Sequence, residues 1–178
     1  MKKLCFAILF AACTSALAQD TAPATATILF KSKGGSTNVF FYSSNKPEAC
    51  EGLSHTASVY DAELLRAKLL PFIAKFEEKA HALNRVHPEA EVSVAVGTPY
   101  QVLGESKWSG TSANMQYRGS CGPFTQQFTP EAGHKYLVEF GFANGGCSQR
   151  VADITTPESP LPVEPQVLQC KTPSWLHL

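Results

Sequence analysis

Regular alternation of apolar and polar residues is the feature that most constrains how this 178-residue chain can fold. The clearest run, 135–142, has a large apolar residue at every second position: Tyr136, Val138, Phe140 and Phe142. Because successive side chains of a strand point to opposite faces, this run predicts a strand with one buried face. Weaker patterns of the same kind predict strands at 27–31, 38–43, 54–60, 92–96, 100–103, 114–118, 124–128 and 147–155.

Turn signals separate these runs and complete the prediction of fold class. Pro130 to Gly133 forms a predicted turn, and Asn144-Gly145-Gly146 is typical of a tight hairpin. About seven to nine short strands between regular turns predict a mainly β protein, an antiparallel β-sandwich of immunoglobulin or transthyretin type. We expect one domain over 27–155, preceded by a linker at 19–26 and followed by a proline-rich tail at 156–178.

One segment, 61–84, changes from the strand period to the helix period. Its apolar residues share one helical face: Leu65, Leu69, Phe72, Ile73, Phe76, Ala80 and Leu83. Pro71 falls inside this pattern, so we expect a kinked amphipathic helix, or two helices with Pro71 in the first turn of the second. An apolar stripe of this kind usually faces the core, and we expect that here; the alternative is a membrane-surface or partner-binding face.

The first 18 residues predict a removable signal peptide. Lys2 and Lys3 precede a nine-residue apolar run, and Ala16-Leu17-Ala18 fits a signal-peptidase site. A run this short does not span a bilayer. The alternative is lipidation at Cys13, which follows two small residues and would make the chain an outer-membrane lipoprotein. We therefore predict export to the periplasm or beyond, with membrane attachment only through Cys13.

Export leaves four cysteines in the mature chain: Cys50, Cys121, Cys147 and Cys170. An even number in an oxidising compartment predicts two disulfides, and three pairings are open. Cys121 and Cys147 flank a predicted hairpin, which favours Cys121–Cys147 and leaves Cys50–Cys170 to tie the tail to the domain.

The region between Cys121 and Cys147 carries a spaced pattern, C-x6-F-x-P-x2-G-x2-Y-x-V-x-F-x6-C. In this pattern the chain resembles small exported bacterial proteins and predicted lipoproteins of unknown function. The resemblance implies a compact β-sandwich in which Phe128 to Tyr136 forms a hairpin and the cysteines link neighbouring strands. It covers about a quarter of the chain and transfers no catalytic residue.

Charge and motifs exclude several functions. Fifteen basic residues balance 15 acidic ones without a basic stripe, so nucleic-acid binding has no support. Neither a nucleophile elbow nor a phosphate-binding loop is present, and no cofactor is expected. A zinc site built from His81 and His87 with Glu77 or Glu89 is the strongest metal hypothesis, although solvent-exposed positions explain these residues better.

Four aromatic residues among small polar ones suggest a binding patch: Tyr100, Trp108, Tyr117 and Trp175. The sequence therefore predicts an exported, non-enzymatic module that binds an envelope protein, a peptide or a glycan. The alternatives are an inhibitor of a secreted enzyme, and a hydrolase or metal-dependent enzyme whose site residues are dispersed along the chain.

Overall fold

Two five-stranded sheets packed face to face form the body of the molecule, which confirms the predicted β-sandwich. The computed structural model describes residues 24–112 and 115–170. In spatial order, sheet I contains β4 (Glu89–Ala95), β1 (Thr25–Lys33), β7 (Lys135–Ala143), β8 (Gly146–Asp153) and β9 (Leu161–Val163). Sheet II contains β10 (Gln166–Leu168), β6 (Met115–Phe128), β5 (Tyr100–Ser112), β2 (Val39–Ser44) and β3 (Ser54–Val59).

Strand pairing is antiparallel except between β1 and β7, which run parallel. In the described ranges the sandwich is therefore antiparallel, as predicted, apart from this one pair. These two strands are distant in the sequence, so no tight turn dictates their direction. Strand β1 also begins at Thr25 and buries Ala26, so the end of the predicted linker belongs to the sheet.

The core lies between the sheets and is rich in aromatic rings. Phe30 and Phe41 pack with their ring centroids 4.8 Å apart, and Phe140 is fully buried beside them. Tyr136, Val138 and Phe140 point inward from β7, as the alternation predicted. Asn144 and Gly145 adopt positive φ angles in the β7–β8 turn, which confirms the predicted hairpin.

The segment from Phe128 to Tyr136 is not the hairpin that the resemblance implied. Phe128 ends β6 in sheet II, whereas Tyr136 lies in β7 of sheet I, so the chain crosses between sheets here. Their rings meet inside the core with centroids 5.2 Å apart. Sequence-adjacent strands therefore face each other across the core at this point.

Both expected disulfides are present, but one of them has an unexpected position. Cys121 in β6 pairs with Cys147 in β8, so this bond joins the two sheets instead of neighbouring strands. Cys50 pairs with Cys170 and ties the loop after β2 to the end of β10. The Gln101 side chain, fully buried, fixes the same loop by donating to the Lys46 and Glu48 carbonyls and accepting the Cys50 N–H.

Two helices, α1 (Ala62–Lys68) and α2 (Pro71–Leu83), connect edge strand β3 of sheet II to edge strand β4 of sheet I. Pro71 is the first residue of α2, so the predicted alternative of two short helices is correct. The proline-rich tail adds an edge strand to each sheet, β9 beside β8 and β10 beside β6. No helix in the described ranges is long and apolar enough to cross a bilayer.

Candidate binding surface

Strands β5 and β6 are longer than their neighbours in sheet II and continue as a pair beyond the ends of those strands. Pairing of β2 with β5 ends at Ser106, and pairing of β10 with β6 covers only Thr125 to Gln127. Residues 107–112 and 115–120 therefore pair only with each other, and we call this two-stranded ribbon the arm. The sequence predicted only the outer part of its second strand and no strand at Trp108, because glycine and serine are frequent there.

The base of the arm is fixed to both sheets. The Ser106 hydroxyl donates to the Asn38 carbonyl at 2.7 Å and contacts the Thr37 hydroxyl at 2.8 Å. Opposite Ser106, Cys121 forms the disulfide to β8. These contacts hold the start of the ribbon against β2 on one side and against sheet I on the other.

The arm has one aromatic face and one polar face. Residues directly opposite each other in an antiparallel pair share a face, and the register pairs Trp108 with Gly119 and Tyr117 with Gly110. Met115, which is 71% exposed, continues this aromatic face toward the tip. The other face carries only polar and charged side chains: Lys107, Ser109, Thr111, Gln116, Arg118 and Ser120.

Each ring of the aromatic face covers a glycine of the opposite strand. A Cβ atom on Gly119 would lie 2.3 Å from Cε2 of Trp108, and one on Gly110 would lie 2.2 Å from Oη of Tyr117. The glycines thus provide the space in which the two rings lie across the ribbon. Tyr117 remains 54% exposed, so the rings form a platform open to solvent.

A shallow recess of about 590 Å³ lies beside Trp108 and is otherwise lined by polar and charged side chains and by Gly119. Lys107 and Arg118 supply positive charge there, and Ser109 and Ser120 supply hydroxyl groups. By the register, these four residues belong to the polar face of the arm, whereas Trp108 and Gly119 belong to the aromatic face, so the recess is lined by residues of both faces.

A buried carboxylate lies at the start of the arm. Glu105 is 3% exposed, and its Oε2 lies 3.5 Å from Nζ of Lys107. Burial raises the pKa of Glu105, and Lys107 opposes that rise. The pKa of Tyr42 is raised by burial and by the negative charge of Glu105.

The other two residues of the predicted patch do not join this platform. Tyr100 is 2% exposed and packs edge-on against Phe128 in the core, so its inclusion in an exposed patch was wrong. Burial raises the pKa of its hydroxyl to about 12. It opens β5, where every residue from Tyr100 to Ser106 is buried, and the sequence had already predicted a strand at 100–103. Trp175 lies outside the described residues.

A second exposed surface lies on helix α2. Its large apolar side chains are mostly solvent-exposed: Phe72 at 61%, Phe76 at 71% and Leu83 at 86%. The expectation that this stripe faces the core was therefore wrong, because Ala74 is the buried residue of α2. Leu70, just before the helix, is 61% exposed as well.

A cleft of about 290 Å³ separates the helices from the sandwich and contains His81 and Glu77 of the zinc hypothesis. His81 stacks on Tyr60 with ring centroids 4.1 Å apart, whereas His87 is exposed and pairs through its backbone with β3. Over 24–112 and 115–170, no group of three or more His, Cys, Asp and Glu side chains is placed to hold a metal. The placement of these residues therefore gives the zinc hypothesis no support.

Compared with known proteins, the chain matches no family model, no curated protein and no solved structure at a significant level.

Proposed function

We propose that this chain is an exported, non-enzymatic binding module that holds a glycan of the cell envelope on the aromatic face of the arm. The observation that carries the proposal is the pair of rings, Trp108 and Tyr117, lying across opposing glycines on a ribbon fixed at its base. Two disulfides fit a domain stabilised for an oxidising compartment, which agrees with the leader predicted at 1–18.

The chemistry of the platform favours a sugar over a peptide. Sugar rings offer a C–H face that packs against aromatic rings and a rim of hydroxyls that takes hydrogen bonds from polar side chains. Trp108 and Tyr117 provide two such rings in diagonal positions on one face, and the indole N–H and the phenol hydroxyl are hydrogen-bond donors on that same face. A peptide would instead pair with the free backbone edges of the ribbon, and that binding would not depend on the rings.

Co-sedimentation with insoluble peptidoglycan, chitin and cellulose tests the proposal. Trp175→Phe is the reference chain, because it leaves Trp108 as the single tryptophan and its fluorescence reports on the platform. We expect Trp108→Ala and Tyr117→Ser each to weaken binding by roughly ten-fold, which corresponds to the loss of one ring contact. Tyr117→Phe is the matched control and keeps its binding because it keeps the ring.

Two results would contradict the proposal. One is the absence of binding to all three glycans with unchanged tryptophan fluorescence. The other is binding that both ring variants retain in full, which would favour peptide pairing at the ribbon edges.

An inhibitor of a secreted enzyme is the second candidate, because a ribbon that extends beyond its sheet has a shape suited to entering an active-site cleft. Inhibition assays with lysozyme and with secreted proteases separate this function from glycan binding. Inhibition that Trp108→Ala abolishes, without affinity for isolated glycan, would favour the inhibitor.

A further inference from the structure

Helix α2 presents an apolar face that the sandwich does not use. Successive residues of a helix are about 100° apart around its axis. Relative to the buried Ala74, three residues lie within about 20° of the opposite side of the helix: Phe72, Phe76 and Leu83. From Phe72 to Leu83 this stripe extends about 16 Å along the helix. Three large apolar side chains thus point away from the core in one line.

The charged residues of α2 are segregated relative to this stripe. Lys75 and Lys79 lie about 100° and 140° from Ala74, on the outer half of the helix and beside the apolar stripe. Glu77 and Glu78 lie about 60° and 40° from Ala74, on the inner half. Glu78 is paired with Arg66 of α1, and Glu77 lines the cleft toward the sandwich.

A helix whose exposed face combines aromatic side chains with flanking lysines has the properties of an interfacial membrane helix. Its apolar side chains can enter the boundary between headgroups and acyl chains while the lysines meet anionic headgroups. A second copy of the chain fits this face less well. In an antiparallel two-fold pair of helices the same flank of each helix meets, which would bring lysine flank against lysine flank.

We propose that the outer face of α2 docks on an anionic lipid surface, with Phe72, Phe76 and Leu83 entering the interface and Lys75 and Lys79 contacting the headgroups. This surface shares no residue with the arm, so different variants test the two proposed contacts.

Flotation with lipid vesicles tests this proposal on the mature chain. Vesicles that contain phosphatidylglycerol are compared with vesicles of phosphatidylcholine alone, at low and at high salt. We expect binding to the anionic vesicles only, with weaker binding at high salt. Phe76→Ser should reduce binding at least ten-fold, and Lys75→Gln with Lys79→Gln should reduce it by roughly five-fold per lysine.

Val167→Ser is the matched control, because Val167 is an apolar residue with an exposure similar to that of Phe76, 64% against 71%, but lies on β10. It should leave vesicle binding unchanged, and so should Trp108→Ala, which separates this proposal from glycan binding. Circular dichroism of Phe76→Ser verifies that the variant is folded.

Three outcomes would overturn the proposal. The first is no binding to anionic vesicles, and the second is binding that Phe76→Ser leaves intact. The third is a lipid-independent dimer, seen by analytical ultracentrifugation, that Phe76→Ser dissociates, because the face would then bind a second copy.

Discussion

His134 and Asp153 form a close ion pair where β7 begins and β8 ends. Nδ1 of His134 lies 2.6 Å from Oδ2 of Asp153, and Oδ1 of Asp153 accepts the Thr155 N–H at 2.8 Å. The hydrogen bond with Asp153 raises the pKa of His134 above its ordinary 6.5. Burial alone would raise the pKa of Asp153, but the hydrogen bonds from Thr155 and His134 lower it.

These shifts predict how the pair contributes to stability as the pH changes. The folded-state pKa of His134 lies above the unfolded value, so its contribution is complete below about pH 6.5 and disappears as the pH rises through the raised pKa. The contribution of Asp153 is lost at the acid end, as the pH falls through its lowered pKa. We expect Asp153→Asn to lower the pKa of His134, as measured by NMR titration of the imidazole protons.

The same variant should reduce the unfolding free energy most between about pH 4 and 6.5 and least at higher pH. Glu131→Gln is the control, because Glu131 is 3.8 Å from Nε2 of His134 and should shift its pKa less. An unchanged His134 pKa in Asp153→Asn would show that the ion pair does not form in solution.

Gly104 makes room for a polar side chain inside the core. A Cβ atom at this position would lie 2.2 Å from Oε1 of Gln149 and 3.0 Å from the rings of Phe140 and Phe41. We therefore expect Gly104→Ala to reduce the unfolding free energy by about 1–3 kcal/mol through overpacking, as measured by urea unfolding. The matched control is Gly141→Ala, because the nearest atom to its Cβ would be Oγ of Ser148 at 3.9 Å. Equal stability of the two variants would contradict the role of Gly104.

Among the contacts between secondary-structure elements, Asp61 links helix α1 to the loop between β1 and β2. Its Oδ1 accepts the Leu64 N–H at 2.8 Å as the N-cap, and its Oδ2 accepts the Gly34 N–H at 2.6 Å. Asp61→Ala should reduce stability by about 1 kcal/mol and speed hydrogen exchange in α1 more than in the sheets. Asp61→Asn keeps a capping oxygen and should lose less. Uniform acceleration of exchange over all elements would argue against a local role.

The strands were predictable because alternation is a local property of the sequence. The run from Tyr136 to Phe142 specifies which side chains share a face, and the structure places Tyr136, Val138 and Phe140 in the core. Alternation does not specify which sheet a strand joins. The resemblance implied a hairpin from Phe128 to Tyr136 and a cysteine link between neighbouring strands, and both are wrong because the residues of each pair belong to different sheets.

Helix α2 shows the same limit in a different form. Its periodicity identifies an apolar stripe, but periodicity does not state which side of the helix meets the sandwich. His81 contacts the sandwich by stacking on Tyr60 and Ala74 is buried, whereas Phe72 and Phe76 remain exposed. The period of the apolar residues therefore predicted which side chains share a face of the helix, but not which part of the protein packs against that face.

The amino-acid composition of the arm explains why the sequence did not predict it. Glycine and serine lower β-propensity, so residues around Trp108 had the signature of a loop. The feature that does indicate a ribbon is the pairing of a large ring with a glycine across the two strands: Trp108 lies opposite Gly119, and Tyr117 lies opposite Gly110. Such pairs become visible only when the register of the two strands is known. The sequence thus grouped Trp108 and Tyr117 in one predicted patch, but their position on one face of a ribbon became visible only in the structure.

At the scale of the whole molecule, two connections run between the edges of the sandwich. The helices connect edge strands β3 and β4, and the tail supplies edge strands β9 and β10 to the two sheets. Unpaired strand edges favour aggregation, and the tail covers one edge of each sheet with a short strand. The Cys50–Cys170 bond fixes the end of the tail to the loop that Gln101 holds.

The two disulfides should contribute unequally, because they close loops of different length. Cys121–Cys147 spans 26 residues and Cys50–Cys170 spans 120. From the entropy of the unfolded chain we expect losses of about 3.5 and about 5 kcal/mol when the cysteines of each pair are replaced by serine. Thermal unfolding of the two double variants, with and without reductant, measures these losses. Reductant should destabilise the natural chain more than either variant, and a natural chain whose melting temperature is insensitive to reductant would show that the sandwich is stable without these links.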